Sequence, residues 1–313
     1  MIFKATEENI FKASELIKQG ECVAFPTETV YGLGANAFNS LACVKIFEIK
    51  QRPFFDPLIV HVAEFENNEM ARKLAENFWP GPMTLILKKN QNIPDIVTAG
   101  LETVAVRMPD HPVARELIKK SGVPIAAPSA NLFGSLSPTK AEHVLKQLGD
   151  KVKIILDAGP SRFGVESTII DLSRGKPLIL RFGGLTAEEI EKVIGRVEFS
   201  QNQQNNIVAP GQLLKHYSPH TKLLIVDSAK SAMRDFKGKR VGLLSLKKPK
   251  NKKDFVAVQI LSETGDLKEA AANLFESLDR FDVMNLDLIL VEPVPEIGLG
   301  RAIMDRLRRA SRN

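Results

Sequence analysis

Three arginines stand where chemistry on an anion could be organised. Arg52 lies in KQRP two residues after Lys50, Arg107 in TVAVRMP, and Arg181 in LRFGG. Each sits on a strand-like run or loop flanked by proline or glycine, which together suggest a site for a polyanion. A guanidinium offers a fork that matches phosphate or carboxylate oxygens, whereas an ammonium acts as a point charge. Plainer roles are open as well. Lys50 and Arg52 could be a solvated basic helix end favoured by the helix dipole. Alternation along the strand puts Thr103, Ala105 and Arg107 on one face, and an arginine there must be paired if buried. An amino-acid carboxylate would serve as that partner, and so would a structural Asp or Glu.

Hydroxyls and glycines gather in three further segments. Residues 24–37 read AFPTETVYGLGANA. Pro26 cannot donate a ladder hydrogen bond and tends to end a strand. Two threonines, a glutamate and a tyrosine follow it, and Gly32 and Gly34 would let backbone approach a ligand or take positive φ. The competing reading is a strand followed by a helix capped by Thr27 or Thr29. Residues 126–139, AAPSANLFGSLSPT, crowd Ser129, Asn131, Ser135, Ser137 and Thr139 into one loop. Such groups could contact a nucleotide, while Ser137-Pro138 starts the next helix. Residues 157–171, DAGPSRFGVESTIID, bring Ser167 and Thr168 into a strand after a glycine-bracketed turn. No GxxxxGK[ST] segment and no Ser–His–acid arrangement is present.

The elements that must position these residues fall into two groups. Up to about residue 195, strands are expected at 22–25, 58–61, 83–88, 104–108, 125–127, 154–157, 168–171 and 178–181. Helices are expected at 7–18, 41–49, 67–77, 112–121 and 140–148. Thr6 should cap the first, and Thr186 with Glu189 three residues later carries a capping-box pattern. This reads as an α/β unit with a mixed sheet. The amide-rich segment FSQNQQNNIVA, from Phe199, reads as a linker, followed by APGQLLKHYSPH. From Lys222, strands at 222–227, 241–246, 255–260 and 286–291 alternate with helices at 229–236, 267–281 and 298–310, which predicts a smaller parallel, doubly wound unit. No GxGxxG follows its first strand.

At 313 residues the chain is long enough for two domains, which we place at 1–198 and 222–313 with a linker at 199–221. A net charge of +6 suits a protein that handles nucleotide phosphates or touches nucleic acid. Cys22 and Cys43 form neither a disulfide framework nor a metal pattern, and no apolar run reaches membrane-spanning length. A reducing, cytoplasmic setting is expected.

Taken together, PTETVYGLG, the KxRP segment with PLIVH, WPGPMTLIL, VAVRMPDHP, APSANLFG and GPSRFGVESTIID occur in an order that resembles the threonylcarbamoyl-AMP synthase family, the YrdC-domain proteins. The resemblance covers nearly the whole chain and is to the long form, with a YrdC-like twisted sheet and a C-terminal Rossmann-like domain. It implies the joining of L-threonine, bicarbonate and ATP into L-threonylcarbamoyladenylate, with release of pyrophosphate, for a tRNA modification. It also implies Mg2+ with the nucleotide and, as partner, the machinery that transfers the threonylcarbamoyl group to tRNA. Threonine contacts would fall on Thr29, His61, Arg107, the backbone of Ala127, and Ser167. ATP contacts would fall on Arg52, Asp56, Thr103, Ser129, Ser137 and Arg181. Lys50 and Asn131 would line the same cavity, with Lys50 and Arg52 on the triphosphate, and Tyr217 of KHYSP would fold over the nucleotide. Several positions depart from the family pattern: Gln51 for a glycine, Asp56 for an asparagine, Ala158 for a glycine, Phe182 for a proline, and Gln212, Leu213 and Leu214 in the linker.

Two other readings compete. One is an RNA-binding module with a basic cavity, whose binding would fall steeply with salt and need no threonine. The other is a related carbamoyl-transfer enzyme of hydrogenase maturation, but the acylphosphatase and zinc-finger segments of those proteins are missing from this sequence.

Overall fold

Strand and helix alternate along the chain, and the computed structural model describes residues 1–65, 69–200, 209–211 and 216–312. The first unit contains β1 (Ile2–Lys4), α1 (Glu7–Lys18), β2 (Val23–Phe25), β3 (Gly32–Asn36), α2 (Ser40–Lys50), β4 (Ile59–His61), α3 (Glu69–Phe78), β5 (Met83–Lys88) and α4 (Asp95–Thr98). It continues through β6 (Thr103–Arg107), α5 (Pro112–Ser121), β7 (Ile125–Ala126), α6 (Ala141–Leu148), β8 (Ile155–Asp157), β9 (Thr168–Asp171), β10 (Leu178–Arg181), α7 (Ala187–Ile194) and β11 (Glu198–Phe199). Among the described residues its strands form one sheet in the order β1-β8-β2-β3-β7-β4-β6-β5-β9-β10-β11. Pairing is mixed: β4 runs parallel to β6, while β2–β3 and β5–β6 are antiparallel.

Local signals place the helices. Thr6 accepts a hydrogen bond from the Asn9 N–H and begins α1. Pro112 occupies the first turn of α5, and Gly122 ends it in the left-handed region. Thr186 and Glu189 form the full capping box of α7. The apolar stripes of α1 and α5 (Ile10, Ala13, Ile17, Leu117) pack against Val23, Phe25 and Ile125 of the sheet. The α2, α4 and α6 residues Ile46, Phe47, Val97 and Val144 pack in a separate cluster with Leu33, Val60 and Val104. Burying a side chain of this size contributes about 1.5–3 kcal/mol.

The second unit has β12 (Leu223–Ile225), α8 (Ala229–Ala232), β13 (Val241–Ser245), β14 (Ala257–Ile260), α9 (Leu267–Asp282), β15 (Leu288–Val291) and α10 (Gly300–Ala310). Its strands are all parallel, in the order β12-β15-β13-β14. Leu274, Phe275 and Leu278 of α9 and Ile303 and Leu307 of α10 share one apolar cluster with Val30, Leu136, Val165 and Tyr217, so the two units meet through an apolar contact.

The expectations for β5, β9, β10, α1 and α5 hold to the residue. Residues 32–36 do not form the helix that a capping Thr27 or Thr29 would start. They form a strand that pairs antiparallel with β2 through residues 32–34 and with β7 through 35 and 36, and Thr27 Oγ1 closes a tight turn by accepting from the Thr29 and Val30 N–H groups at 3.2 and 3.3 Å. The glycines are the reason: a Cβ at Gly34 would lie 2.5 Å from Ile125 and 2.6 Å from the Phe25 ring. The strands at Ile2–Lys4 and Glu198–Phe199 carry too few apolar residues to show a period, and β11 straddles the 198/199 boundary. The expected helix 229–236 is α8 followed by a 3-10 turn at Met233–Phe236. The start of the expected helix 67–77, and linker residues 201–208 and 212–215 with Gln212, Leu213 and Leu214, lie outside the described residues.

Candidate active site

A turn of glutamine sets the first cation. Gln51 ends α2 in the left-handed conformation (φ 53°, ψ 40°), reversing the chain so that the Arg52 N–H bonds Phe47 O at 2.9 Å. The Arg52 side chain is buried; its Nε donates to Asp56 O at 3.0 Å and its Nη2 to Pro57 O at 2.8 Å. Nη2 also stands 2.8 Å from Asp56 Oδ1, but as a charge contact, since neither Asp56 carboxylate oxygen has a hydrogen-bond partner among the described residues. Burial accordingly pushes the Asp56 carboxyl upward, against the pull of Arg52, Lys50 and Arg181.

Lys50 is drawn elsewhere. Its Nζ donates to Ser129 O at 2.6 Å and Asn131 O at 2.5 Å, and it is 1% exposed. Burial and the neighbouring Arg52 hold its pKa well below the ordinary lysine value, with Asp56 acting the other way. Lys50 is therefore the anchor of the 129–133 loop. Within that loop Ser129 Oγ donates to Asn131 Oδ1 at 2.5 Å, and Asn131 Nδ2 donates to Leu132 O and Ser135 O.

The second cation closes β6. Parallel register sets Arg107 beside His61 of β4. Arg107 Nη2 donates to Glu28 Oε1 at 2.5 Å and to Thr29 Oγ1 at 2.9 Å, while its buried Nε has no hydrogen-bond partner among the described residues. Burial, reinforced by Arg107, lowers the His61 pKa to about 3, so its imidazole is neutral at ordinary pH.

A bulge aims the third. The β9–β10 register shifts between Ile179 and Arg181, an irregularity of the kind that redirects a side chain. Arg181 Nε reaches Ser167 O at 3.1 Å, Nη2 reaches Ser167 Oγ at 3.1 Å and Nη1 reaches Pro210 O at 3.1 Å. Ser167 Oγ also shares a 2.7 Å hydrogen bond with Thr84 of β5.

One recess gathers these groups. Arg52, His61, Arg107, Ala127, Ser129, Ser167, Arg181 and Tyr217 all line it. Thr29, Asp56, Asn131 and Ser137 stand one contact behind, each bonded to or paired with a lining residue. Lys50 also stands one contact behind, through Ser129 O, whereas Thr103 is not brought to the recess. The Lys50 ammonium is spent on the loop carbonyls, and Thr103 lies at the opposite end of β6 from Arg107. Tyr217 is buried at φ 62°, its ring 4.0 Å from that of His216. Gly211 is required beneath it: at φ 78°, a Cβ there would fall 2.4 Å from the Tyr217 hydroxyl. Sequence reasoning assigned no role to Glu28, Glu166 or Arg306. The first two are visible as carboxylates inside PTET and VEST, but nothing in the RLRR of the last helix marks Arg306.

A mixed-sheet α/β unit carrying a buried cationic recess, joined to a parallel α/β unit, defines the class of protein. Residues 15–183 match the Sua5/YciO/YrdC family, described as "Telomere recombination", and residues 185–312 match "Threonylcarbamoyl-AMP synthase, C-terminal domain". The threonylcarbamoyl-AMP synthase of Pyrococcus abyssi is 45% identical over 321 residues, spanning 96% of this chain and 93% of that protein. That of Bacillus subtilis is 43% identical over 323 residues, spanning 97% and 93%. The crystal structure of P. abyssi Sua5 complexed with L-threonine superposes with a TM-score of 0.91 at 43% identity, over 99% of this chain and 96% of that one. The chain belongs to the threonylcarbamoyl-AMP synthase family in its two-domain form. Among the described residues, no helix is long and apolar enough to cross a membrane.

Proposed function

We propose that this chain makes L-threonylcarbamoyladenylate. The threonine amine takes up bicarbonate as a carbamate, with loss of water. A carbamate oxygen then attacks the α-phosphorus of ATP, and the bond to pyrophosphate breaks. No covalent enzyme intermediate is needed; the protein positions reactants and offsets charge. The observation that carries the reading is the meeting of Arg52, Arg107 and Arg181 in one recess with Ser129 and Ser167.

In this reading Arg107, Thr29, His61, Ser167 and the Ala127 backbone receive the threonine, as a relative was crystallised with that amino acid. Neutral His61 suits a site that must not add a further cation beside Arg107. Arg52, Ser129 and Arg181 receive the nucleotide, with Asp56, Asn131 and Ser137 behind them. Lys50 acts by fixing the Ser129–Asn131 backbone rather than by touching phosphate. Mg2+ would enter with ATP. Among the described residues no group of three or more His, Cys, Asp or Glu side chains is placed to hold it, and Glu166 of the recess is engaged by Ser137 and Arg306, so phosphate oxygens and water would be its ligands. The product would pass to the machinery that modifies tRNA.

The test is incubation of the purified chain with ATP, Mg2+, bicarbonate and each amino acid in turn. The expected result is a threonine-specific adenylate by mass, formed with stoichiometric pyrophosphate. Equal pyrophosphate release with every amino acid, or none with threonine, would overturn it.

A further inference from the structure

Arg306 is an arginine on the apolar face of α10. It is 1% exposed and lies among Ala302, Ile303, Leu307 and Ala310. A guanidinium in such surroundings is strongly destabilising unless its charge and donors are answered. The answers come mostly from the other unit. Nε donates to Glu166 Oε2 at 2.7 Å, Nη2 donates to Phe182 O at 3.0 Å, and the guanidinium lies 4.8 Å from the centre of the Tyr217 ring. The remaining charged contact is with its own neighbour Asp305, at 2.5 Å from Nη1.

Each outside partner adjoins the recess. Glu166 lines it and precedes Ser167; Phe182 follows Arg181; Tyr217 lines it from the linker side. The other Glu166 oxygen accepts from Ser137 Oγ at 2.5 Å. One guanidinium from the second sheet unit thus ties together the approach to β9, the end of β10, the 135–139 loop and the tyrosine.

We propose that Arg306 is a positioning residue for the nucleotide half of the recess, and that holding this half in shape is a task of the second domain. The proposal rests on the adenylate-forming reading above. Arg306 and Ser137 engage the two Glu166 oxygens, so that Arg181 need not bond to this carboxylate and stays directed at phosphate. It also fixes the Ser137 hydroxyl through Glu166 and supplies the flat cation on which the Tyr217 ring is seated. Burial would raise the Glu166 carboxyl, but Arg306, Arg181 and the Ser137 hydroxyl outweigh it and hold it at about 2, so the carboxylate is a fixed anion. Without Arg306 that anion would turn to Arg181 and take a cation from the nucleotide.

The test is Arg306→Lys in the full chain, which keeps the charge and loses the fork. ATP affinity is measured by calorimetry, and KM for ATP and for L-threonine by pyrophosphate release. We expect ATP binding and KM for ATP to weaken at least tenfold and KM for threonine to stay within twofold, in a variant that is folded at the assay temperature by circular dichroism even if its melting temperature falls. In a double-mutant cycle with Ser137→Ala the two effects should be strongly non-additive, because Glu166 joins them. Unchanged ATP binding in folded Arg306→Lys, equal losses for both substrates, or plain additivity would overturn the proposal. Should Arg306→Lys not fold, Glu166→Gln reads the same connection and must show the same ATP-selective loss. Tight ATP binding by the parent chain without any adenylate would instead fault the proposed reaction, and the calorimetric comparison would still decide the role of Arg306.

Discussion

Arg107 Nη2 reaches both Glu28 Oε1, at 2.5 Å, and Thr29 Oγ1, at 2.9 Å. The pair is buried, so each group answers a charge that water cannot. Removing one partner of such a pair costs about 3–5 kcal/mol, because the other is left uncompensated. Glu28→Ala should therefore lower the unfolding free energy by about that amount, read from urea denaturation, and should raise KM for threonine by releasing the Arg107 fork. Stability within about 1 kcal/mol of the parent would show that the pair is not maintained in solution.

His61 gives stability a pH dependence whose sign is fixed. Its pKa falls from the ordinary 6.5 to about 3 in the fold, through burial first and Arg107 second. Below 6.5 the unfolded chain takes up a proton that the native chain refuses, so stability is lost as pH falls from 6.5 toward 3. The contribution is at most about 1.4 kcal/mol per pH unit. Urea midpoints at pH 7 and pH 5 should show the loss, and His61→Asn should reduce that slope without abolishing it, since burial also lowers the pKa of His216, His111 and His143. A parent profile that is flat between those values would contradict a neutral buried imidazole.

Gln51 holds a left-handed conformation that glycine adopts without strain. Gln51→Gly should stabilise the chain by roughly 0.5–1 kcal/mol, the relief of the Cβ clash less the entropy added to the unfolded state. Chemical denaturation measures this, and activity should be unchanged because the Arg52 contacts are made by its own side chain.

Gly211 faces the Tyr217 hydroxyl and Arg181 Nη1, which a Cβ would approach to 2.4 and 3.1 Å. Gly211→Ala should displace the tyrosine and cut kcat/KM for ATP by about tenfold, a loss of roughly 1.4 kcal/mol. Parent-like kinetics in this variant would mean that the seated Tyr217 has no part in catalysis.

Arg52→Ala should leave the fold intact enough to purify yet reduce threonine-dependent pyrophosphate release about 10²–10³-fold, the usual effect of losing one preorganised donor. A rate near that of the parent would remove Arg52 from the phosphate site.

The order of elements was legible because period and punctuation are local. Met83–Lys88, Thr168–Asp171 and Leu178–Arg181 are apolar runs bounded by polar or turn residues, and Thr186 with Glu189 announces a helix start through its own hydrogen bonds. Gly32–Asn36 was not legible as a strand, since its glycines serve the Phe25 ring packed on them, a neighbour seen only in the sheet. The residue types of the site could also be read, because Arg52, Arg107, Ser129, Ser167 and Arg181 sit at strand ends and turns, where side chains remain available.

The sequence by itself determined two α/β units and the cations of an anion site, through spacing and residue type. Only the tertiary structure decided how those cations are used. It sent the Lys50 ammonium to the Ser129 and Asn131 carbonyls, paired Arg107 with Glu28, and carried Arg306 from the last helix to Glu166, 140 residues away in the chain. A buried charge takes the nearest group that can answer it, and nearness across a fold is set by packing rather than by position along the chain.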